Sequence, residues 1–224
     1  MILAGVLLAA APLAALAAQD WNLTRVQTEQ GHRVGNPEAD VKLIAFSSYS
    51  CPHCAHFEED SDAALRMAYI HTGKLAFEMR HVIRNPLDLA AALVTECGPE
   101  NKFWANHRAI LRDQERWLKI AVDATPAQSQ RWMAGSLPAR MRNIAADLDF
   151  YELMAPRGYT IAQLDRCLSD EAAARAIMAR GEVDRARFDI PGTPSFALNG
   201  AMLEGVHNWA DLQPAIDAAG TPKR

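Results

Sequence analysis

Two cysteines three positions apart, Cys51 and Cys54, follow directly on the apolar run Val41–Phe46 in "VKLIAFSSYSCPHC". A short run of this kind ending in Ser-Ser reads as a buried strand. Pro52 suits the first position of a helix, where no backbone N–H is needed. From there the chain has few β-branched residues, and Phe57, Ala64, Leu65, Ala68 and Tyr69 share one helical face, with Gly73 as a stop. Lys74–Ile83 then alternates Leu75, Phe77 and Met79 against Lys74, Glu78 and Arg80, a strand pattern. Strand, helix and strand with both cysteines at the helix start form a βαβ unit, which places this part of the chain in the α/β class.

Upstream, Trp21–Thr28 reads as a short strand and Gly31–Ala39 as turn-rich. After Arg84-Asn85-Pro86 the pattern turns helical, with breaks at Gly98-Pro99, Thr125-Pro126 and Pro156-Arg157-Gly158. Trp104, Leu111, Trp117, Trp132, Met133 and Met141 supply apolar faces to these helices and read as core. A further helix over 170–187 leads to Ser195–Leu198 and Ala201–Leu203, which flank Asn199-Gly200, a strong hairpin signal. A last amphipathic helix spans 209–219. The expected order is βαβ, helical insertion, α, ββα. It divides the chain into 18–85 (first part of an α/β core), 86–168 (insertion) and 169–224 (second part of the core).

Residues 2–18 carry no charged side chain. An alanine-rich run this short, containing Pro12, is marginal for a bilayer core of about 30 Å. It reads as the apolar region of a secretory signal over residues 1–17, with Ala15-Leu16-Ala17 as the cleavage site. An uncleaved anchor helix is the alternative that the same run allows. The net charge of −4 and the interleaved acids among the arginines of "ARAIMARGEVDRARF" offer no basic field for nucleic acid. Glycine-rich phosphate loops and internal repeats are absent from the sequence.

The element order, with CPHC opening the first helix and Gly192-Thr193-Pro194 opening the hairpin, resembles the thioredoxin superfamily. Within it, the chain is similar to bacterial periplasmic disulfide oxidoreductases of DsbA type. The resemblance implies a central mixed sheet flanked by helices, with an all-helical domain inserted. It implies an exported enzyme, without a cofactor, that donates its disulfide to reduced, unfolded secreted proteins and is reoxidised by a quinone-linked membrane protein. It also implies a cis Thr193–Pro194 bond opposite Cys51, where an extended substrate adds as a strand. Family members specialised for isomerisation or reduction often carry threonine at position 193, whereas oxidases often carry valine, so reductase and isomerase remain open alternatives. An acidic residue usually stands six positions before the attacking cysteine. Here Ala45 occupies that place, and proton transfer at Cys54 is expected to pass through water.

The residues themselves point the same way. A thiolate, not a thiol, attacks a disulfide. Cys51 at a helix N-terminus gains from unpaired N–H groups and the helix dipole. His53 offers a hydrogen bond or a positive charge, and Cys54 is placed to resolve a mixed disulfide. A structural zinc site would need a second ligand pair, yet Cys97 and Cys167 stand alone, so no metal is expected. His56 and His81 read as surface or packing residues. In an exported chain, Cys97 and Cys167, both in helical segments, are expected to pair, with two buried free thiols as the alternative. A peptide-binding or chaperone module with incidental redox activity is the function of another class.

Overall fold

The computed structural model describes residues 19–221; the expected signal segment lies outside them. Helices flank a mixed sheet of six strands, β1 (Arg25–Gln27), β2 (His32–Gly35), β3 (Val41–Ser47), β4 (Leu75–His81), β5 (Ser195–Leu198) and β6 (Ala201–Met202), which lie in the order β1-β2-β4-β3-β5-β6. Its centre is the parallel pair β3 (Val41–Ser47) and β4 (Leu75–His81), joined through α1 (Pro52–Ala64). Along β3 the side chains alternate between faces. Val41, Leu43 and Ala45 join the main core with Phe57 of α1 and Leu65 just beyond its end. Phe46 packs with Phe188 and Ala197 on the other side.

Several local readings change in the structure. The segment expected to be turn-rich contains strand β2 (His32–Gly35), which pairs antiparallel with β1 (Arg25–Gln27) and with β4. The misleading glycines answer to close backbone approach. A Cβ at Gly31 would lie 2.3 Å from the Met79 carbonyl oxygen, and Gly35 adopts φ +113°. Trp21–Leu23 is a 3-10 turn capped by Asp20, so the first strand starts later than expected. The first helix continues into a π-helical stretch, Leu65–Ile70, which advances the register. Ile70, five residues beyond Leu65, therefore lies in the core, while Ala68 is exposed.

Strand β4 is covered on both faces, not alternately exposed. Its Arg80 is buried and paired with Glu78 at 2.7 Å and with Asp184 at 2.6 Å. Asp184 belongs to a long helix, Glu171–Arg187, which lies across this face and hides the polar residues of the strand.

Between β4 and that helix the chain is helical: α2 (Pro86–Thr95), α3 (Phe103–Arg112), α4 (Gln114–Val122), α5 (Pro126–Met133), α6 (Leu137–Asp147), α7 (Phe150–Met154) and α8 (Ile161–Leu168). Thr125 caps α5 with a full capping box and Pro126 follows at the first position. Trp117 is fully buried, and its indole N–H donates to the Ile110 carbonyl at 2.9 Å. Met133 departs from the core expectation: it is 64% exposed at the end of α5, where Trp132 takes the inward face. The chain then returns to the sheet through α9 (Glu171–Arg187), the hairpin β5 (Ser195–Leu198) and β6 (Ala201–Met202), and α10 (Trp209–Ala219). Asn199 and Gly200 both have positive φ, as a two-residue hairpin turn of type I′ requires. No helix among the described residues is long and apolar enough to cross a membrane.

Candidate active site

Strand β3 ends at Ser47, and the chain crosses to α1 through Ser48, Tyr49 and Ser50. Cys51 is the N-cap residue, in extended conformation, and Pro52 opens the helix. Both cysteines are free thiols in this structure and both are buried. Their environments differ. The Cys51 thiol is lowered to about 5, first by a hydrogen bond from the Cys54 thiol, against a desolvation cost, and further by Thr193, the Cys54 N–H and the charge of Arg84. The Cys54 thiol is pushed well up, first by burial and then by its neighbour Cys51. One sulfur is set up to be an anion and the other to keep its proton.

Across from Cys51 stands the segment Gly192-Thr193-Pro194, with a cis bond between Thr193 and Pro194. The Cys51 thiol donates to the Thr193 carbonyl at 3.0 Å. The Thr193 hydroxyl is buried and without a partner, free to turn toward a thiolate. Thr193, Gly192, Pro191, His53, His207 and Asn208 line a groove beside the sulfur. His207 bonds the Pro194 carbonyl through Nδ1 at 2.8 Å. The structure thus brings Cys51, Cys54, His53, Thr193 and Pro194 together. His53 is exposed beside the groove, and the hydrogen bonds to Cys51 come from other groups. On the far side of the helix start, Pro52, Ala55, His56, Leu111, Leu118 and Val122 border a second groove between α1 and α4.

Much of what holds the loop comes from the helical segment and has no motif in the sequence. Asp88 of α2, fully buried, accepts from the Ser48 hydroxyl at 2.8 Å, the Ser50 N–H at 2.7 Å and the Arg84 N–H at 2.9 Å. Arg84 also donates to Ser48 and Ser50 hydroxyls, and Asn85 to Ser50. The Tyr49 hydroxyl lies 3.0 Å from Thr95 and 2.9 Å from His107 Nδ1; burial raises the phenol pKa. Gln114 of α4 reaches the carbonyls of Tyr49 and Cys51. The one sequence hint was Asn85-Pro86, a capped helix start immediately after the strand.

Ala45 is buried on β3 between Met79 and Phe196 of the neighbouring strands. His56 is exposed. His81, by contrast, is buried in a polar cluster with His32 and Glu96, whose ligand-type atoms lie within 4.8 Å of one another. One oxygen of Glu96 meets both imidazoles at 3.1 Å and also pairs with Arg180. Burial opposes the charge of Glu96, but hydrogen bonds from His32 and His81 outweigh it and hold the carboxyl below the usual range. The guanidinium on that oxygen competes with any cation, so the cluster reads as a satisfied ion pair. Cys97 and Cys167 are joined, with Cα atoms 5.6 Å apart.

A family model described as thioredoxin matches residues 27–218. The chain is similar to a solved protein-disulfide isomerase from Novosphingobium aromaticivorans, 41% identical, with TM-score 0.83, covering 86% of this chain and 98% of that one. It shares its fold with alpha-DsbA1 of Wolbachia pipientis at TM-score 0.66 and 18% identity, covering 84% and 89% of the two chains. A curated relative from Rickettsia bellii, which carries the name of a protein-disulfide oxidoreductase, is 27% identical over 187 residues, 83% of this chain. The chain spans 63% of that relative's length.

Proposed function

The chain belongs to the thioredoxin family, and from that premise we propose that it is an exported thiol–disulfide oxidoreductase acting in the periplasm through Cys51 and Cys54. The observation that carries this reading is the Cys51 sulfur at a helix N-terminus, 3.0 Å from the Thr193 carbonyl that precedes Pro194.

In the oxidised protein a substrate thiolate attacks the Cys51 sulfur. The Cys51–Cys54 bond breaks, a mixed disulfide forms on Cys51, and the Cys54 sulfur takes up a proton, as its raised pKa favours. A second substrate thiolate then attacks the substrate sulfur of the mixed disulfide and expels Cys51 as a thiolate. A low pKa makes Cys51 a good leaving group. Two electrons move from substrate to protein; of the two substrate protons, Cys54 keeps one and solvent takes the other. Thr193 offers its outward backbone to an extended substrate as an added strand. Reduced, unfolded secreted proteins are the substrates, and a quinone-linked membrane oxidase restores the disulfide.

A thiolate stabilised only in the reduced form makes the couple oxidising, by about 30 mV for each 1.4 kcal/mol. Equilibration of Cys51/Cys54 with glutathione tests this. The expected potential lies well above the thioredoxin value of about −270 mV, toward the DsbA value of about −120 mV. A value near thioredoxin's would establish a reductase instead. Isomerisation is the second reading, favoured by the name of the 41% identical structure and by threonine at position 193. Recovery of activity from a scrambled disulfide substrate separates it from oxidation.

A further inference from the structure

We infer that Gln114 is a positioning residue through which the helical segment sets the reactivity of Cys51. It opens α4 and is 3% exposed. Its side-chain nitrogen donates to the Tyr49 carbonyl at 2.6 Å and to the Cys51 carbonyl at 2.8 Å. A carboxamide carries two N–H donors on one nitrogen, and here both are spent on the loop that carries the reactive sulfur.

Those two bonds fix more than two oxygens. A trans peptide is planar, with C=O and N–H pointing in opposite directions. The unit joining Tyr49 to Ser50 is held at its oxygen by Gln114 and at its N–H by Asp88, at 2.7 Å. One peptide plane is thereby clamped between α4 and α2, and its rotation is fixed. The next handle is the unit joining Cys51 to Pro52. Having no N–H, it can be held only by its carbonyl. That carbonyl accepts from the helix's own Cys54 and Ala55 N–H groups, at 3.0 and 3.4 Å, and from Gln114 of α4 at 2.8 Å. Gln114 is thus the side chain that sets how the N-cap residue enters the helix. The direction of entry decides whether the Cys51 sulfur faces the Cys54 N–H, the Cys54 thiol and Thr193, the groups that favour its anion. Without the amide, the Tyr49 carbonyl loses its donor and the Cys51 carbonyl keeps only those of its own helix, so both peptides are freer to turn.

This inference rests on the reading of Cys51 and Cys54 as a redox couple, and its test reads thiol chemistry separately from turnover. In the full chain, Gln114→Met keeps the length and removes both donors, while Gln114→Glu replaces them with acceptors that face two carbonyls. Thiolate absorbance against pH and the equilibrium constant with glutathione are measured for each, beside the unfolding midpoint of the oxidised form. In Gln114→Met the Cys51 midpoint is expected to rise by about one unit, a tenfold loss of thiolate at a given pH below it. The glutathione equilibrium should move about tenfold toward the protein disulfide, about 30 mV. Gln114→Glu should exceed both.

Unfolding that is easier in the variants, with thiolate midpoint and equilibrium unchanged, would show a purely structural residue and overturn the inference. Wild-type protein provides a check that requires no variant to fold. The side-chain amide resonances of Gln114 should titrate with the Cys51 midpoint, and their invariance overturns the inference equally. If wild-type Cys51 titrates like an ordinary thiol, the redox reading falls and this inference with it. A wild-type midpoint near 5 that the variants share removes the inference alone.

Discussion

Cys97 follows the end of α2 and Cys167 lies within α8, and the bond between them spans 70 residues of sequence. Cys51 and Cys54 stand three residues apart at the start of one helix. The long-range pair removes conformations from the unfolded chain, so its contribution grows with the loop it closes. The short-range pair closes almost no loop. The difference between its open and closed forms is therefore set by the local surroundings of two sulfurs: a thiol partner, a carbonyl, a hydroxyl, a guanidinium and the first turn of a helix. A bond that stabilises through the chain is hard to tune, and a bond set by neighbours can be tuned by each of them. One chain carries both kinds.

The largest effect separates the pairs outright. Cys51→Ser should abolish catalysed oxidation of a reduced protein substrate, whereas Cys97→Ala with Cys167→Ala should retain it; turnover of a dithiol substrate by each purified variant makes the comparison. Stability should show the reverse. The Cys97→Ala, Cys167→Ala variant should lose about 4 kcal/mol in the chain-entropy view, read from urea unfolding of oxidised protein, with the Cys51 thiolate midpoint unmoved.

A smaller effect follows from pH and belongs to the reduced couple alone. An ordinary thiol titrates near 8.5, and Cys51 is lowered to about 5. The folded protein therefore sheds this proton while the unfolded chain still holds one. The resulting stabilisation is complete above about pH 8.5 and lost as pH falls through about 5. Cys54, with its raised pKa, acts in the opposite sense: above about pH 8.5 the unfolded chain releases that proton first, and the reduced fold weakens. Urea midpoints of the reduced protein, minus those of the oxidised protein, should climb from about pH 5 to about pH 8.5 and then decline. A flat difference would mean that the couple lacks this asymmetry. The finest effect is at Thr193→Val, which removes the buried hydroxyl beside Cys51. The thiolate midpoint should rise by about half a unit, about threefold in ionisation, with the fold unchanged by circular dichroism.

How far the sequence reaches differs between the parts of the site. The strand before CPHC, the helix start at Pro52 and the Asn199-Gly200 turn are all legible, because each is written in adjacent residues. The position of Thr193-Pro194 opposite Cys51 came from a family resemblance, not from periodicity. Asp88 and Gln114 escaped both. Their contacts to the loop cross 38 and 65 residues of sequence, and a buried carboxylate or amide on a helix carries no sign of the backbone that it will meet. Strand β2 was hidden by the two glycines that its close packing demands, and Ile70 by a π-helical stretch that no 3.6-residue period anticipates.

The hydrogen bond from Cys51 to Thr193 joins positions separated by 142 residues, and that interval is also a stretch of time. A ribosome adding about 5–20 residues per second needs about 7–28 s to pass from one to the other. Throughout that interval the nascent Cys-Pro-His-Cys segment exists without the wall that will face it, and without the strand β5 that pairs with β3. Whatever reacts with these sulfurs before residue 193 arrives meets an unfinished site. The helical segment, synthesised between the two halves, delivers Asp88 and Gln114 first, so the loop can be held before its opposite wall exists. Order of synthesis thus runs from sulfur to support to substrate surface, and the last of these completes the site.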